Sequence, residues 1–120
     1  MNSDYEAIAT MSEAIQVVTT VGSQEEAQRI AAALVSQRLA ACVQVIGPIA
    51  STYRWQGKLE TSQEWLCTIK TLRANYAALE AAIRAAHSYQ VPEILAFEVV
   101  EGSRDYLDWL SQEVSAPPRP

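Results

Sequence analysis

The sequence predicts an α+β sandwich, in which an antiparallel sheet of four strands carries two long helices and a terminal helix follows. Three observations lead to this prediction. The apolar repeat alternates between strand and helix spacing in the order strand, helix, strand, strand, helix, strand. The two middle strands are separated by only a short turn, and a chain of 120 residues and 13.2 kDa fits one domain with its own core.

The first strand and helix are predicted at the start of the domain. Residues 14–21 (AIQVVTTV) form a β-branched run that Gly22 closes. Ser23, with Glu26 three residues later, forms a capping box, in which both side chains satisfy amide groups at a helix start. Apolar residues then recur at helical spacing and predict one buried helix face. They are Ala27, Ile30, Ala31, Leu34 and Val35.

A long hairpin is predicted from about Ala41. Its first arm, ACVQVI followed by IASTYRW, is interrupted at Gly47-Pro48. Because proline cannot donate to a ladder, this dipeptide marks an edge position or a bulge. Gln56-Gly57 is a two-residue turn, and residues 58–71 (KLETSQEWLCTIKT) form the returning arm.

Cys42 and Cys67 are predicted to be reduced and mostly buried thiols. If Trp55 pairs with Lys58, Cys67 faces Ile46, and the thiols lie about four residues, or roughly 13 Å, apart along the ladder, too far for a disulfide. A bulge in the first arm shifts this pairing by one residue without closing the gap. A reducing compartment favours free thiols as well.

The second half of the chain supplies a helix, a strand and the terminal helix. A helix is predicted from after Thr71 to about His87, and Pro92 prevents its continuation. Residues 93–100 (EILAFEVV) are typical of a fourth strand, and Gly102-Ser103 begins the terminal helix. The inward faces of the two helices consist of Tyr76, Leu79, Ile83 and Ala86, and of Leu107, Leu110 and Val114.

This order of elements is that of a ferredoxin-like βαββαβ sandwich with the sheet order 4-1-3-2. Right-handed crossovers place both long helices on one face and leave the other face without a helix of its own. We expect this open face, with the hairpin residues Tyr53, Trp55 and Trp65, to form a subunit interface. Its predicted members are Gln16, Val18, Thr20, Leu66, Thr68, Lys70, Ala96 and Glu98.

Composition excludes several classes of partner. The net charge of −5 and the absence of a basic cluster argue against nucleic acid. The charge-free stretch 39–53 is too interrupted to span a bilayer, and no cationic start with an apolar run precedes the domain, so we expect a soluble, cytoplasmic protein. The domain is predicted at 14–114, between flexible tails at 1–13 and 115–120.

Local motifs for chemistry are scarce. One histidine, two distant cysteines and two methionines near the N-terminus make no metal cluster within one chain. The sequence has no glycine-rich phosphate loop, GxSxG or HExxH, so no catalysis is expected. The aromatic trio Tyr53, Trp55 and Trp65 either stacks a ligand or stabilises a sheet and its interface.

These segments together resemble the CutA family, the divalent-cation-tolerance proteins. The matching stretches lie at 39–71 (LAACVQVIGPIASTYRWQGKLETSQEWLCTIKT), 87–94 (HSYQVPEI) and 106–110 (YLDWL). The resemblance implies a homotrimer of PII-like shape, with clefts between subunits and a link to divalent metals, copper above all. It also implies which residues line such a cleft from two chains. They are Tyr53, Trp55, Lys70, His87, Tyr89 and Glu93.

Departures from the family pattern bear on the metal hypothesis. Thr19 stands where some members have cysteine, and Ala86-His87 stands where some have a histidine pair, so a direct copper site loses ligands. Gly47-Pro48 reverses the usual order, and Ser88 replaces a proline. We therefore predict a trimeric binding or signalling module implicated in copper tolerance. A direct copper or zinc protein and a small-molecule enzyme are the alternatives.

His87, the only histidine, has three interpretations. At the end of the second helix an imidazolium is favoured by the helix dipole. The residue either hydrogen-bonds at the rim of the inter-subunit cleft, ligates a divalent metal such as copper, or ends the helix without any ligand. We prefer the hydrogen-bonding role.

Overall fold

The computed structural model describes residues 13–115, so most of the two predicted tails lies outside the described residues. A short 3-10 helix, Arg73–Asn75, precedes the second long helix. The predicted order of elements is confirmed. The elements are β1 (Ala14–Val21), α1 (Gln24–Ser36), β2 (Cys42–Trp55), β3 (Lys58–Leu72), α2 (Tyr76–Ala86), β4 (Leu95–Glu98) and α3 (Arg104–Glu113).

The four strands form one sheet in the order β2-β3-β1-β4, which confirms the predicted 4-1-3-2 arrangement. β1 pairs with β3 along its whole length, from Ala14 opposite Leu72 to Val21 opposite Trp65. All three strand pairs are antiparallel. The protein therefore has the ferredoxin-like α+β fold that the sequence predicts.

Helices α1 and α2 cover one face of the sheet and form the main core. Ile30 and Leu34 of α1 and Leu79 and Ile83 of α2 are buried against apolar strand residues. Val35 was predicted to share this buried stripe but is 41% exposed. It lies in the last turn of α1 at the edge of the stripe, where the helix surface turns away from the sheet. The strand residues of this core are Ile15, Val17, Val21, Cys67 and Ile69.

The hairpin follows the predicted course. Gln56 (φ 51°) and Gly57 (φ 80°) form the turn, and their positive φ values match the twist of a hairpin. The register shifts between Ile46 and Ile49, around the cis Gly47-Pro48 peptide, which confirms the predicted bulge.

Trp65 lies apart from the other two aromatic residues of the hairpin. It is opposite Val21 of β1 and packs, partly buried, against the main core beneath the helices. Gly47 lies against its indole ring, and a side chain there would collide with the ring. Trp65 is therefore a core residue, and only Tyr53 and Trp55 remain as exposed aromatic residues near the turn.

The bulge also decides the surroundings of the two cysteines. Cys67 lies opposite Val45, one residue from the predicted partner Ile46, and Cys42 lies opposite Lys70. Both cysteines are free, as predicted. Cys67 is buried, as predicted, whereas Cys42 is only partly buried, so the two thiols differ in accessibility.

β4 has the opposite face assignment from the predicted one. Its residues lie opposite Ile15 to Val18 of β1, and directly opposed residues on antiparallel strands share a face. Ala96 and Glu98 therefore face the side of helices α1 and α2. The open face receives Leu95 and Phe97, which makes it more apolar than expected.

Helix α3 corrects a second expectation, that the open face has no helix. Leu110 of α3 and Val114 after it are buried against Ala14 and Ala41, with Leu72 packed beside them. Since side chains alternate along a strand, Ala14 and Leu72 lie on the open face. α3 therefore covers one end of that face.

The remainder of the open face stays exposed in a single chain. Ile46, Leu95 and Phe97 are 51%, 51% and 52% exposed. Strand alternation and register place these three side chains together with Val18 and Leu66.

Within residues 13–115, no helix is long and apolar enough to cross a bilayer.

Candidate functional site

A cleft of about 570 Å³ lies where the C-terminal end of β1 meets the outer part of the hairpin and the segment after α2. Its wall combines aromatic rings, hydroxyl groups and two carboxylates. The lining residues are Thr20, Ser51, Thr52, Tyr53, Trp55, Glu64, Tyr89, Gln90, Val91 and Glu93.

The cleft exists because the hairpin is longer than its neighbours. β1 ends at Val21 opposite Trp65, whereas β2 and β3 remain paired to Trp55 and Lys58. The outer hairpin is thus a two-stranded ribbon that projects beyond the sheet, and the molecule measures 52 × 29 × 27 Å along its principal axes. The segment from His87 to Ile94 forms the wall that faces this ribbon.

His87 holds that wall against the end of β1. Its side chain is fully buried. Nε2 lies 2.9 Å from the Thr20 carbonyl oxygen, and the backbone N–H of Tyr89 donates to Nδ1 at 3.1 Å. Because a carbonyl only accepts, the network assigns the proton to Nε2. Both ring nitrogens are therefore engaged within the chain.

Glu26 connects the same segment to the start of α1. Its carboxylate accepts hydrogen bonds from the backbone N–H of Ser88 at 2.9 Å and from the Ser88 hydroxyl at 3.0 Å. Only half of the predicted capping box forms, since Ser23 accepts from the Glu26 N–H while the Glu26 carboxylate binds Ser88. His87 Nδ1 is 4.0 Å from this carboxylate, but with Nδ1 as an acceptor the two groups form no ion pair.

Tyr89 joins the two walls of the cleft. Its hydroxyl donates to Oε2 of Glu64 at 2.7 Å. Burial, and then the hydrogen bond to this carboxylate, raise the pKa of Tyr89 above its usual value. Tyr89 is therefore a neutral donor at physiological pH. Its ring also packs against His87, with centroids 4.9 Å apart.

The six residues that resemblance assigns to the cleft are divided within one chain. Tyr53, Trp55, Tyr89 and Glu93 line the cleft. His87 lies behind the wall, where it binds the Thr20 carbonyl. Lys70 lies opposite Gln16 and Cys42, away from the cleft, and its ammonium group donates to Gln44. A contribution of Lys70 from a second subunit stays a prediction.

Glu64 is the main residue that sequence reasoning missed. It is 6% exposed on an otherwise exposed part of the hairpin, and it binds Tyr89 across 25 residues of sequence. Hairpin pairing places it opposite Ile49, next to the bulge. Its position next to the bulge was the only feature of the sequence that could have indicated its role. A single glutamate on a hairpin strand forms no recognisable motif.

The lining offers groups for binding. Hydroxyls and amides supply hydrogen bonds, aromatic rings supply contact area, and Glu64 and Glu93 supply oxygen ligands. Residues 13–115 contain no group of three or more side chains arranged to hold a metal ion. A metal at His87 would have to displace one of the two hydrogen bonds of its ring.

Comparison with known proteins agrees with this fold. Residues 15–113 match the family described as CutA1 divalent ion tolerance protein. The divalent-cation tolerance protein CutA of Thermus thermophilus is 47% identical over 80% of this chain and 93% of its own length. The chloroplastic CutA 1 protein of Oryza sativa is 39% identical over 88% of this chain, and the aligned region covers 59% of the rice protein.

A solved structure supports the same assignment. The divalent cation tolerance protein Cut A1 from Thermus thermophilus superposes with a TM-score of 0.83 at 44% identity, over 85% of this chain and 99% of that one. Sequence and three-dimensional similarity thus extend over nearly all of the described domain. This chain belongs to the CutA1 divalent ion tolerance family.

Proposed function

We propose that this protein is a homotrimeric binding or signalling module that contributes to divalent metal tolerance, including copper tolerance, without catalysing a reaction. The cleft beside Tyr89 and Glu64 carries this proposal, because it combines a volume suited to a small molecule with convergent polar groups. Membership of the tolerance family supports the physiological role.

Assembly is part of the proposal. The exposed side chains of Ile46, Leu95 and Phe97 form an apolar surface of the kind that proteins bury by association. A closed trimer would cover this surface and place a second subunit beside the cleft. The cytoplasm is the proposed location, although the rice relative is named chloroplastic.

Direct copper or zinc binding is the second candidate, since direct binding is one way for a protein of a divalent ion tolerance family to act. Glu64 and Glu93 offer carboxylate oxygens, which suit hard cations better than copper. A small-molecule enzyme is a third candidate that no residue arrangement in the described chain favours over simple binding.

Sedimentation velocity followed by calorimetry tests the proposal. We expect a trimer at micromolar concentration, and we expect at least one small molecule from a panel of metals, nucleotides and amines to bind it. Trp55→Leu should weaken that binding, whereas Val35→Ala on the outer surface of α1 should not. A stable monomer, or a trimer that binds no member of the panel, would refute the proposal.

A further inference from the structure

The cleft carries negative charge that no ion pair within residues 13–115 neutralises. Glu64 and Glu93 are its charged lining residues. Within residues 13–115 neither carboxylate forms an ion pair, and the ion pairs present join Arg73 to Glu98 and Arg84 to Glu80. Lys70 of the same chain lies elsewhere on the sheet, where its ammonium group donates to Gln44. A chain with a net charge of −5 adds to this negative potential.

Glu64 makes this charge unusual because only 6% of its surface is exposed. Burying a carboxylate costs free energy unless it is paired with a cation or receives several hydrogen bonds. Tyr89 supplies one hydrogen bond from a neutral hydroxyl, which leaves the net charge in place. A cationic ligand beside Glu64 would therefore neutralise the buried carboxylate and offset the cost of its burial.

Aromatic rings surround the same space. Tyr53, Trp55 and Tyr89 all line the cleft, and each remains partly exposed in the single chain. The faces of such rings carry negative potential and attract ammonium groups, most strongly in the case of tryptophan. Carboxylates and aromatic rings in one cleft therefore favour a cation that also has apolar surface.

The size of the cleft distinguishes an organic cation from a metal ion. A volume of about 570 Å³ suits a small organic molecule and greatly exceeds the coordination shell of a bare ion. Thr20 and Ser51 add hydroxyl groups to the lining, which suit the polar end of such a molecule. We infer that the cleft binds an organic cation, whose ammonium group lies between the aromatic rings and the carboxylates of Glu64 and Glu93.

This inference rests on the proposed function, since it names the ligand class of the same cleft. Choline, its uncharged carbon analogue dimethylbutanol, and inorganic phosphate are suitable probes, titrated into the assembled protein by calorimetry and ligand-observed NMR. We expect choline to bind at least about tenfold more tightly than dimethylbutanol, because only choline gains the cation–π and carboxylate interactions, and phosphate not to bind.

Variants locate the site. Glu93→Gln and Trp55→Leu should each weaken choline binding by about three- to tenfold, as expected for the loss of one partly exposed charge or ring contact. Glu80→Gln is the matched control, since it removes the same charge from the outer surface of α2, where Glu80 pairs with Arg84. It should leave choline affinity unchanged.

Four results would overturn the inference. Equal binding of choline and dimethylbutanol would mean that the cleft selects apolar shape, and the proposed function would stand. Choline binding that appears only in Lys70→Met would mean that a partner's lysine neutralises the carboxylates. Binding of Zn²⁺ that depends on Glu93, without choline binding, would assign the cleft to a metal. Failure of every probe and of the wider panel would remove the proposed function as well.

Discussion

The carboxylate of Glu26 accepts both the backbone N–H and the hydroxyl of Ser88, although 62 residues separate the two in sequence. This pair fixes the cleft wall to the first turn of α1. Ser88 stands where the family resemblance leads one to expect proline, which has neither of these donors. The substitution therefore adds a contact that proline would not permit.

Ser88→Ala tests the strength of this contact. The variant removes the hydroxyl bond and leaves a buried carboxylate with one donor fewer, so we expect a loss of about 1–2 kcal/mol of unfolding free energy. Ser36→Ala, which removes an exposed hydroxyl bound to the Ala33 carbonyl, should cost less than about 0.5 kcal/mol. Chemical denaturation measures both values, and equal losses would contradict a special role for Ser88.

His87→Ala should destabilise the protein by about 2–4 kcal/mol, because it leaves a cavity and removes partners from the Thr20 carbonyl and the Tyr89 N–H. His87→Gln, which can still donate to Thr20, should lose less. Hydrogen exchange at the Tyr89 amide should accelerate in both variants. Copper and zinc affinities should stay weak and unchanged, whereas micromolar binding that vanishes in an intact His87→Ala trimer would make His87 a metal ligand.

The thiols should react at different rates. Burial, and then the nearby charge of Glu26, raise the pKa of Cys67 from 9.0 to about 11, so its reactive thiolate is scarce at neutral pH. Cys42 is partly buried and should react first with a thiol reagent. Mass spectrometry after timed labelling would identify the site, and prior labelling of Cys67 in the native protein would contradict this order.

The same shift in pKa predicts a pH dependence of stability. Between pH 9 and about 11 the unfolded chain has lost the Cys67 proton while the folded chain keeps it. The unfolding free energy should therefore be intact below pH 9 and fall as the pH rises through this window, as denaturation at several pH values would measure. In Cys67→Ala the fall should be smaller, although Tyr89, whose pKa is also raised, contributes in the same direction. An equal fall in both proteins would contradict the role of Cys67.

Phe97→Glu should dissociate the proposed trimer, because it places a charge on the apolar part of the open face. Val35→Glu introduces the same charge at a partly exposed position on α1 and should leave the assembly intact. Sedimentation velocity at several protein concentrations would compare them. A Phe97→Glu variant that sediments like the parent protein would assign the open face to another use.

The elements were predictable from sequence because each has a strong local pattern. The hairpin register follows from the turn at Gln56 and Gly57, which fixes every pair up to the bulge. The face of β4 was not predictable, since Leu95, Ala96 and Phe97 are apolar on both sides of a four-residue strand. Only its pairing with β1 decides which side chains face the helices.

The cleft was only partly predictable for a related reason. Tyr53 and Trp55 lie near the turn, so the hairpin pattern places them together on the projecting ribbon. Glu64 becomes part of the site only through Tyr89, which comes from a distant segment. Lys70 was assigned to the cleft by resemblance to the family. In the structure it lies about ten residues, or roughly 33 Å, further along β3 than the residue that pairs with Tyr53.

The projecting ribbon has an evolutionary consequence. One wall of the cleft is formed by two strands that have no third strand beside them. These strand segments contribute few residues to the core, and the helices pack against the sheet elsewhere. Substitutions at positions such as Ser51, Thr52 and Tyr53 therefore alter the cleft at little cost to folding. Under the proposed function, ligand preference could therefore diverge faster than the fold, because the residues that stabilise the core lie elsewhere.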